Sequence, residues 1–162
     1  TTLDARSPVA EPRGPDDALI IPVRGVRANQ LRDTFEDARG SGRRHDAIDI
    51  MAPRNTPVLA AASARVVKQD NGARGGIALY ALGADNRTLY YYAHLDRYHR
   101  RMREGMKLAK GDTIGFVGTT GNAPRNVPHL HFQIMRMPAD RRWWGGEPID
   151  PLPLLVNAAE RR

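Results

Sequence analysis

Two of the five histidines in the chain lie one residue apart, in the apolar run PHLHF at 128–132. Side chains of a β-strand alternate between its two faces, so His129 and His131 are predicted to project from one face, while Leu130 and Phe132 point into the core. Neutral imidazoles bind metal ions and exchange protons near neutral pH. The pair therefore predicts a functional site rather than ordinary core packing.

A second candidate group, His45 and Asp49, lies in the run RHDAIDI at 44–50. Residues four apart share a face of an extended segment, and imidazole and carboxylate are ordinary zinc ligands. Either His129 or His131 completes a His-Asp-His set, and spacing alone leaves this choice open. Three protein ligands leave a fourth coordination position for water, as in catalytic zinc sites, where that water becomes a nucleophile near neutral pH.

A further candidate, His94, ends the aromatic run YYYAHL. In a regular strand, its neighbours on the same face would be Tyr92 and Tyr90. Metal-assisted hydrolysis needs one group that takes a proton from water and another that stabilises the oxyanion. His94 and the member of the 129/131 pair that is not a ligand fit these roles. The fifth histidine, His99, is flanked by arginines and is predicted to face solvent.

Composition limits the chemistry and the partners of the chain. The absence of cysteine excludes disulfides, thiolate zinc ligands and cysteine nucleophiles, so any metal must be bound by His, Asp or Glu. A formal net charge of +7 favours polyanions, either nucleic acid or an anionic cell wall or membrane surface. We expect no nucleic-acid partner, since the sequence contains no recognisable nucleic-acid-binding motif.

Short apolar runs separated by turn residues predict a mainly β domain, built as a compact antiparallel β-sheet with few short helices. The sequences NGARGG at 71–76 and GADNR at 83–87 are predicted turns. Residues 95–105 fit one short helix, whereas the prolines of 147–156 predict an extended closing segment. The predicted strands lie within 18–23, 47–52, 57–69, 77–82, 88–95, 112–118 and 129–136.

One domain is predicted over residues 18–156, between a flexible lead-in (1–17) and a C-terminal tail (157–162). No apolar run approaches the ~20 residues that cross a bilayer, so we expect no transmembrane segment in this chain. The sequence begins in the polar segment TTLD, and we expect a signal or anchor to be absent from the sequence given.

Four stretches resemble, in order and spacing, the lysostaphin-type zinc metallopeptidases, which are the LytM-like family M23. They are RHDAIDIMAPRNTPVLAAASARVV, YYYAHL, MKLAKGDTIGFVGTTGNAPRNVPHLHFQI and EPIDPLPLL, and the resemblance covers about residues 18–155. It implies a compact antiparallel β fold with a zinc-bearing cleft.

The resemblance also implies roles for individual residues. It implies that His45, Asp49 and His131 bind one Zn²⁺ ion. It further implies that His94 and His129 flank the ion and assist in water activation and oxyanion stabilisation. The choice of His131 over His129 as the ligand comes from the resemblance.

The function implied is that of a zinc-dependent endopeptidase, which hydrolyses peptide cross-links of bacterial peptidoglycan through a metal-activated water. Its location would be periplasmic or elsewhere in the cell envelope or outside the cell. Its partners would be peptidoglycan peptide stems or cross-bridges, with a regulatory protein or pro-segment as a further candidate. The alternative is a cell-wall-binding or hydrolase-activating module of the same fold with little or no turnover. The bond that is cut, a D,D cross-link or a glycine bridge, stays open.

Three positions depart from the usual pattern of the family. Ala47 occupies the glycine position of H-x-G-x-D, Val127 replaces a glycine and Gln133 replaces a glutamate. We expect these changes to affect substrate fit and rate rather than metal binding. Trp143 and Trp144 fit either a buried pair or a wall that faces the substrate.

Overall fold

The computed structural model describes residues 19–36, 38–39, 43–44 and 46–160, so the predicted lead-in of residues 1–17 lies outside the described residues. The strands are β1 (Ala38–Arg39), β2 (Arg43–Arg44), β3 (Ile48–Met51), β4 (Pro57–Leu59), β5 (Ala64–Gly72), β6 (Gly76–Gly83), β7 (Thr88–Tyr98), β8 (Lys107–Leu108), β9 (Thr113–Val117), β10 (His129–Arg136) and β11 (Glu147–Ile149). They are followed by one helix, α1 (Pro151–Glu160), and preceded by a 3₁₀ turn at Ala28–Gln30.

Nine of the described strands form one sheet, with the order β11-β10-β7-β6-β5-β8. Strand β3 pairs with β10, and β9 pairs with both β7 and β4, so these strands branch from that path. Strands β1 and β2 form a separate pair. Every pairing is antiparallel, which confirms the predicted fold class.

The predicted turns at 71–76 and 83–87 join β5 to β6 and β6 to β7, and both are confirmed. The predicted helix at 95–105 is wrong, because β7 continues through Tyr98. Its last residues pair with β9, with Val117 opposite Leu95 and Gly115 opposite Tyr98. This long-range pairing supplies the backbone partners that a local helix would otherwise provide.

The closing segment contains a helix where an extended chain was predicted. Helix α1 begins at Pro151, and the Asp150 carboxylate accepts a hydrogen bond from the backbone N–H of Leu152 at 3.0 Å. Pro151 and Pro153 are tolerated because backbone N–H groups in the first turn have no partner within the helix. No helix of the described part of the chain is long and apolar enough to cross a membrane.

The sheet has one face in the core and one face open to a cleft. The core face carries fully buried side chains such as Tyr92, Leu130 and Phe132, each at most 1% exposed. The prediction that Leu130 and Phe132 point into the core is therefore confirmed. Alternation places His129 and His131 on the opposite face, which lines the cleft.

Candidate active site

Strand pairing brings the 129/131 histidine pair against Asp49. Strand β10 lies between β3 and β7, and His131 is directly opposite Asp49 on β3. The Asp49 Oδ1 atom lies 3.6 Å from His131 Nδ1 and 3.7 Å from His129 Nε2. The side chains of Asp49, His129 and His131 are 12%, 8% and 17% exposed, so these groups meet in a sheltered part of the cleft.

His94 reaches the same cleft through an irregularity in β7. Its backbone φ is +62°, in the left-handed region, and the β6–β7 register shifts nearby, between Ile77 and Leu79. A bulge of this kind redirects a side chain from the face that regular alternation would give it. The His94 ring centroid lies 5.0 Å from that of His129 and 5.6 Å from that of His131.

The prediction that Tyr90 and Tyr92 share a face with His94 is therefore wrong. Tyr90 and Tyr92 are buried in the core, and Tyr91 shares the cleft face with His94. Tyr91 is a site residue that the sequence reasoning missed. The sequence carries no local signal for it, because its place on the cleft face follows from the β7–β10 register, in which Tyr91 pairs with Gln133, two residues beyond His131.

Backbone carbonyls fix the orientation of two imidazoles. His94 Nδ1 donates to the Thr120 carbonyl at 2.8 Å, and His129 Nδ1 donates to the Val127 carbonyl at 2.8 Å. In both rings Nε2 is then the unprotonated nitrogen when the imidazole is neutral. Each ring can therefore accept a proton at Nε2.

His131 is oriented in the opposite sense, by a side chain of its own strand. Its Nε2 atom lies 3.2 Å from Gln133 Oε1. An amide oxygen only accepts hydrogen bonds, so Nε2 carries the proton and the Nδ1 lone pair is directed to the Asp49 side. Gln133 thus supplies the acceptor at the position where the family usually has a glutamate.

Burial shifts the ionisation of groups around the cleft. Burial lowers the pKa of His94 to about 4, so its imidazole is neutral at pH 7. Burial also raises the pKa of Tyr80 to about 12, with a smaller contribution from the negative charge of Asp70. The pKa of Tyr91 is raised as well, chiefly by burial. The two phenols on the cleft face therefore stay protonated.

The loop that follows β9 holds Thr120 against His94. The Thr120 hydroxyl donates to the Leu95 carbonyl and accepts from the Ile77 N–H at 3.0 Å. The next residue, Gly121, has φ +72°, and a Cβ there would collide with the Arg74 carbonyl oxygen. Glycine is required at this position, because both its conformation and its close backbone approach exclude a side chain.

The cleft has a volume of about 1250 Å³ and is lined by charged as well as aromatic residues. Asp46 and Asp70 add negative charge, whereas Arg74 adds positive charge. Met51, opposite His129 in the β3–β10 pairing, is 51% exposed at the cleft. The cleft therefore offers apolar, acidic and basic contacts around the histidines.

The three departures from the family pattern lie at different depths. Ala47 is fully buried and is not among the described residues that line the cleft. Val127 and Gln133 line the cleft and contact His129 and His131 respectively. Any effect on the rate would therefore act more directly through the latter two positions.

The donor chemistry of the described residues fits zinc. Two ligands about 2.1 Å from a tetrahedral ion lie about 3.4 Å apart, close to the 3.6 and 3.7 Å separations around Asp49 Oδ1. His45 lies outside the described residues, so its role as a ligand stays a prediction. Among the residues that the structure does describe, no group of three potential ligands forms a complete metal site.

Comparisons with known proteins agree with this geometry. Residues 43–151 match the model of Peptidase family M23. The chain is 32% identical over 113 residues to the cell division protein DipM of Caulobacter vibrioides, and the aligned region covers 70% of this chain and 18% of DipM. It is 31% identical over 145 residues to the L-Ala--D-Glu endopeptidase of Bacillus subtilis, and the aligned region covers 85% of this chain and 42% of that protein.

The fold is shared with a solved peptidase domain. The catalytic domain of lysostaphin from Staphylococcus simulans matches with a TM-score of 0.67 and 27% identity, over 79% of this chain and 94% of that domain. The chain spans less than half the length of the two relatives named above. The family match and the shared fold together show that this chain belongs to peptidase family M23.

Proposed function

We propose that this chain is the peptidase domain of a zinc-dependent endopeptidase that hydrolyses peptide cross-links of bacterial peptidoglycan. The observation that carries the proposal is the meeting of Asp49, His94, His129 and His131 in one cleft. Family membership and the name of the Bacillus subtilis relative, an L-Ala--D-Glu endopeptidase, support a peptide substrate of the cell wall.

His45, Asp49 and His131 would hold one Zn²⁺ ion, with His131 using Nδ1. When bound, zinc polarises the scissile carbonyl and lowers the pKa of a water molecule. The Gln133 contact supports this assignment, because it places the proton of His131 on Nε2 and directs the Nδ1 lone pair to the Asp49 side. The Nε2 atom of His129, whose Nδ1 is held by the Val127 carbonyl, is left for proton transfer.

His94 and His129 would handle the protons of the reaction. Each has Nδ1 fixed on a backbone carbonyl and Nε2 free to accept a proton when neutral. One of them takes the proton of the attacking water and later gives a proton to the leaving amine. The other donates a hydrogen bond to the oxyanion once it is protonated.

The net charge of +7 suits a substrate in the anionic cell envelope, in the periplasm or outside the cell. The names of the relatives support the same location, since one is a cell division protein and another is an L-Ala--D-Glu endopeptidase. A regulatory protein or pro-segment is a further candidate partner.

Purified sacculi test the proposal. The zinc-loaded protein should release soluble muropeptides, and release should stop with a chelator and resume when zinc is added back in excess. Binding to sacculi without any release would favour the hydrolase-activating or wall-binding alternative. A sample that carries His129→Ala serves as the matched control for release by contaminating hydrolases.

A further inference from the structure

Aromatic rings form a continuous path from the histidine cluster to the protein surface. The ring centroids of His131 and Tyr91 are 5.8 Å apart, those of Tyr91 and Tyr80 are 4.4 Å apart, and those of Tyr80 and Trp143 are 4.8 Å apart. Trp144 follows at 4.9 Å from Trp143. We call Tyr91, Tyr80, Trp143 and Trp144 the aromatic strip.

The sheet fixes the inner part of this strip. Tyr91 pairs with Gln133 on one side and with Tyr80 on the other, and Tyr80 pairs with Lys68. These residues form a row across four strands, on the face that also carries His131. The strip therefore begins inside the cleft described above and continues away from His131 along one side of it.

The tryptophans lie on a loop between β10 and β11 that is anchored to the β6–β7 turn. The Met137 N–H donates to the Arg87 carbonyl at 2.7 Å, and Arg141 Nη1 donates to the Asn86 carbonyl at 3.0 Å. Trp144 is nevertheless 51% exposed. Contacts within the described chain leave about half of this indole uncovered. Because the exposed indole surface is continuous with the cleft, it is suited to contact a ligand bound there.

Cationic groups flank both indoles. Lys68 Nζ lies 5.6 Å from the Trp143 ring centroid, and the Arg142 guanidinium lies 5.9 Å from that of Trp144. Arg142 also pairs with Asp140 at 2.6 Å. A flat apolar surface edged by hydrogen-bond donors suits a ring-shaped ligand with one apolar face and polar groups at its edge.

The length of the path indicates which part of a cell-wall fragment would reach Trp144. Along the ring centroids, Trp144 lies no more than about 20 Å from His131. An extended peptide covers about 3.4 Å per residue, so four residues span about 14 Å. A four-residue stem that starts at the cut bond is therefore long enough to bring the sugar attached to its far end to the indoles.

We propose that Trp143 and Trp144 bind a hexosamine ring of the glycan strand that carries the peptide stem being cut. This inference rests on the proposed function, because the stem must lie in the cleft for its sugar to reach the strip. The sugar would stack its apolar face on the exposed indole of Trp144, while its polar edge meets Lys68 or Arg142.

Intrinsic fluorescence tests the inference directly, because the chain contains only two tryptophans and both lie in the strip. The protein is titrated with N-acetylglucosaminyl-N-acetylmuramyl-tetrapeptide and, separately, with the sugar-free tetrapeptide. Neither probe contains a cross-link, and chromatography after each titration verifies that both probes stay intact, so that binding is measured apart from cleavage. We expect a saturable change in tryptophan emission with the first probe, at a concentration about ten-fold lower than with the second.

Substitution of the exposed indole supplies the second measurement. By calorimetry, Trp144→Ala should weaken binding of the disaccharide probe about ten-fold, while Trp144→Phe retains a stacking ring and should stay within about three-fold of the unsubstituted protein. Thermal unfolding monitored by circular dichroism verifies that both variants are folded, which we expect because Trp144 is half exposed.

Equal affinity for the two probes, or an equal loss for both in Trp144→Ala, would assign the strip to the peptide and overturn the inference. Absence of binding by the disaccharide probe would also overturn it. Sugar-dependent binding by a protein that fails to cut sacculi would uphold the inference while contradicting the proposed peptidase activity, so the two failures are distinguishable.

Discussion

The two histidines of β10 lie at nearly equal distances from Asp49, yet their hydrogen bonds direct different ring nitrogens toward it. His131 presents Nδ1 because its Nε2 faces Gln133, and His129 presents Nε2 because its Nδ1 faces a carbonyl. Distance alone therefore does not separate a ligand from a proton-transfer group. The hydrogen-bond partners and the family resemblance together support the proposed ligand role of His131.

Alanine substitutions separate the two roles. We expect His131→Ala to lose bound zinc, because one of the three proposed protein ligands is removed. His129→Ala should retain zinc and lose about 10²–10⁴ in cleavage rate, the typical contribution of a general acid or base. Metal content measured by atomic emission after dialysis, together with rates on a soluble cross-linked muropeptide, checks both. The reverse pattern of zinc retention would exchange the roles assigned to these residues.

Complete loss of the Gln133 acceptor is expected to weaken metal binding, whereas the exchange of the family's glutamate for glutamine keeps an acceptor. Gln133→Leu removes the acceptor for His131 Nε2, so zinc affinity should fall about 10–100-fold, as is usual when an outer hydrogen bond to a ligand is lost. Gln133→Glu keeps an acceptor and should retain the affinity. Competition with a chromophoric chelator measures the dissociation constants. Unchanged affinity in Gln133→Leu would show that Gln133 does not orient His131.

Among single residues, the sequence predicted the shared face of His129 and His131 but not the orientation of His94. The first depends only on strand alternation, which local sequence encodes. The second depends on a left-handed φ of +62° at a non-glycine residue, held by contacts from distant segments such as the Gly75 carbonyl and Thr120. Such strain persists only when the surrounding structure enforces it.

At the level of elements, the loop after β9 positions His94 through Thr120. Gly121 lies in this loop at a position where neighbouring backbone leaves no room for a side chain. Gly121→Ala should lower the free energy of unfolding by more than about 3 kcal/mol, since strain and backbone collision act together. It should also reduce cleavage, because Thr120 is displaced from His94. Chemical denaturation and cleavage rates measure the two effects.

Gly111 offers a matched control for this substitution. Its φ is also positive, at +95°, but a Cβ there meets nothing within 4 Å. Gly111→Ala should cost only about 1–2 kcal/mol, the cost of the left-handed conformation alone, and should leave cleavage unchanged. Equal destabilisation by the two substitutions would show that the close approach at Gly121 has little influence.

The elements themselves could be predicted where the signal is local. The hairpin turns and β10 carry clear turn residues or alternation, and they lie where expected. The end of β7 and the start of α1 were missed for different reasons. The end of β7 depends on its pairing with β9. The start of α1 depends on Asp150 as the N-cap followed by Pro151, which is a favourable helix start, whereas the prediction treated the prolines only as helix breakers.

For the whole molecule, one central strand explains how distant motifs meet. Strand β10 has β3 on one side and β7 on the other, so Asp49 and His94 approach the histidine pair from opposite edges. No local pattern encodes that arrangement; the order and spacing of the family motifs indicated it. His45 lies outside the described residues, and its place in the cleft stays a prediction.

Product analysis of one defined substrate tests the central claim most directly. A soluble muropeptide dimer is incubated with zinc-loaded protein, with protein plus chelator, and with protein to which zinc has been restored. We expect mass spectrometry to show two fragments whose combined mass exceeds that of the dimer by one water, formed by cleavage of a peptide bond and only when zinc is present. Cleavage that persists with chelator, cleavage within the glycan, or an intact dimer in the zinc-loaded sample would contradict the account.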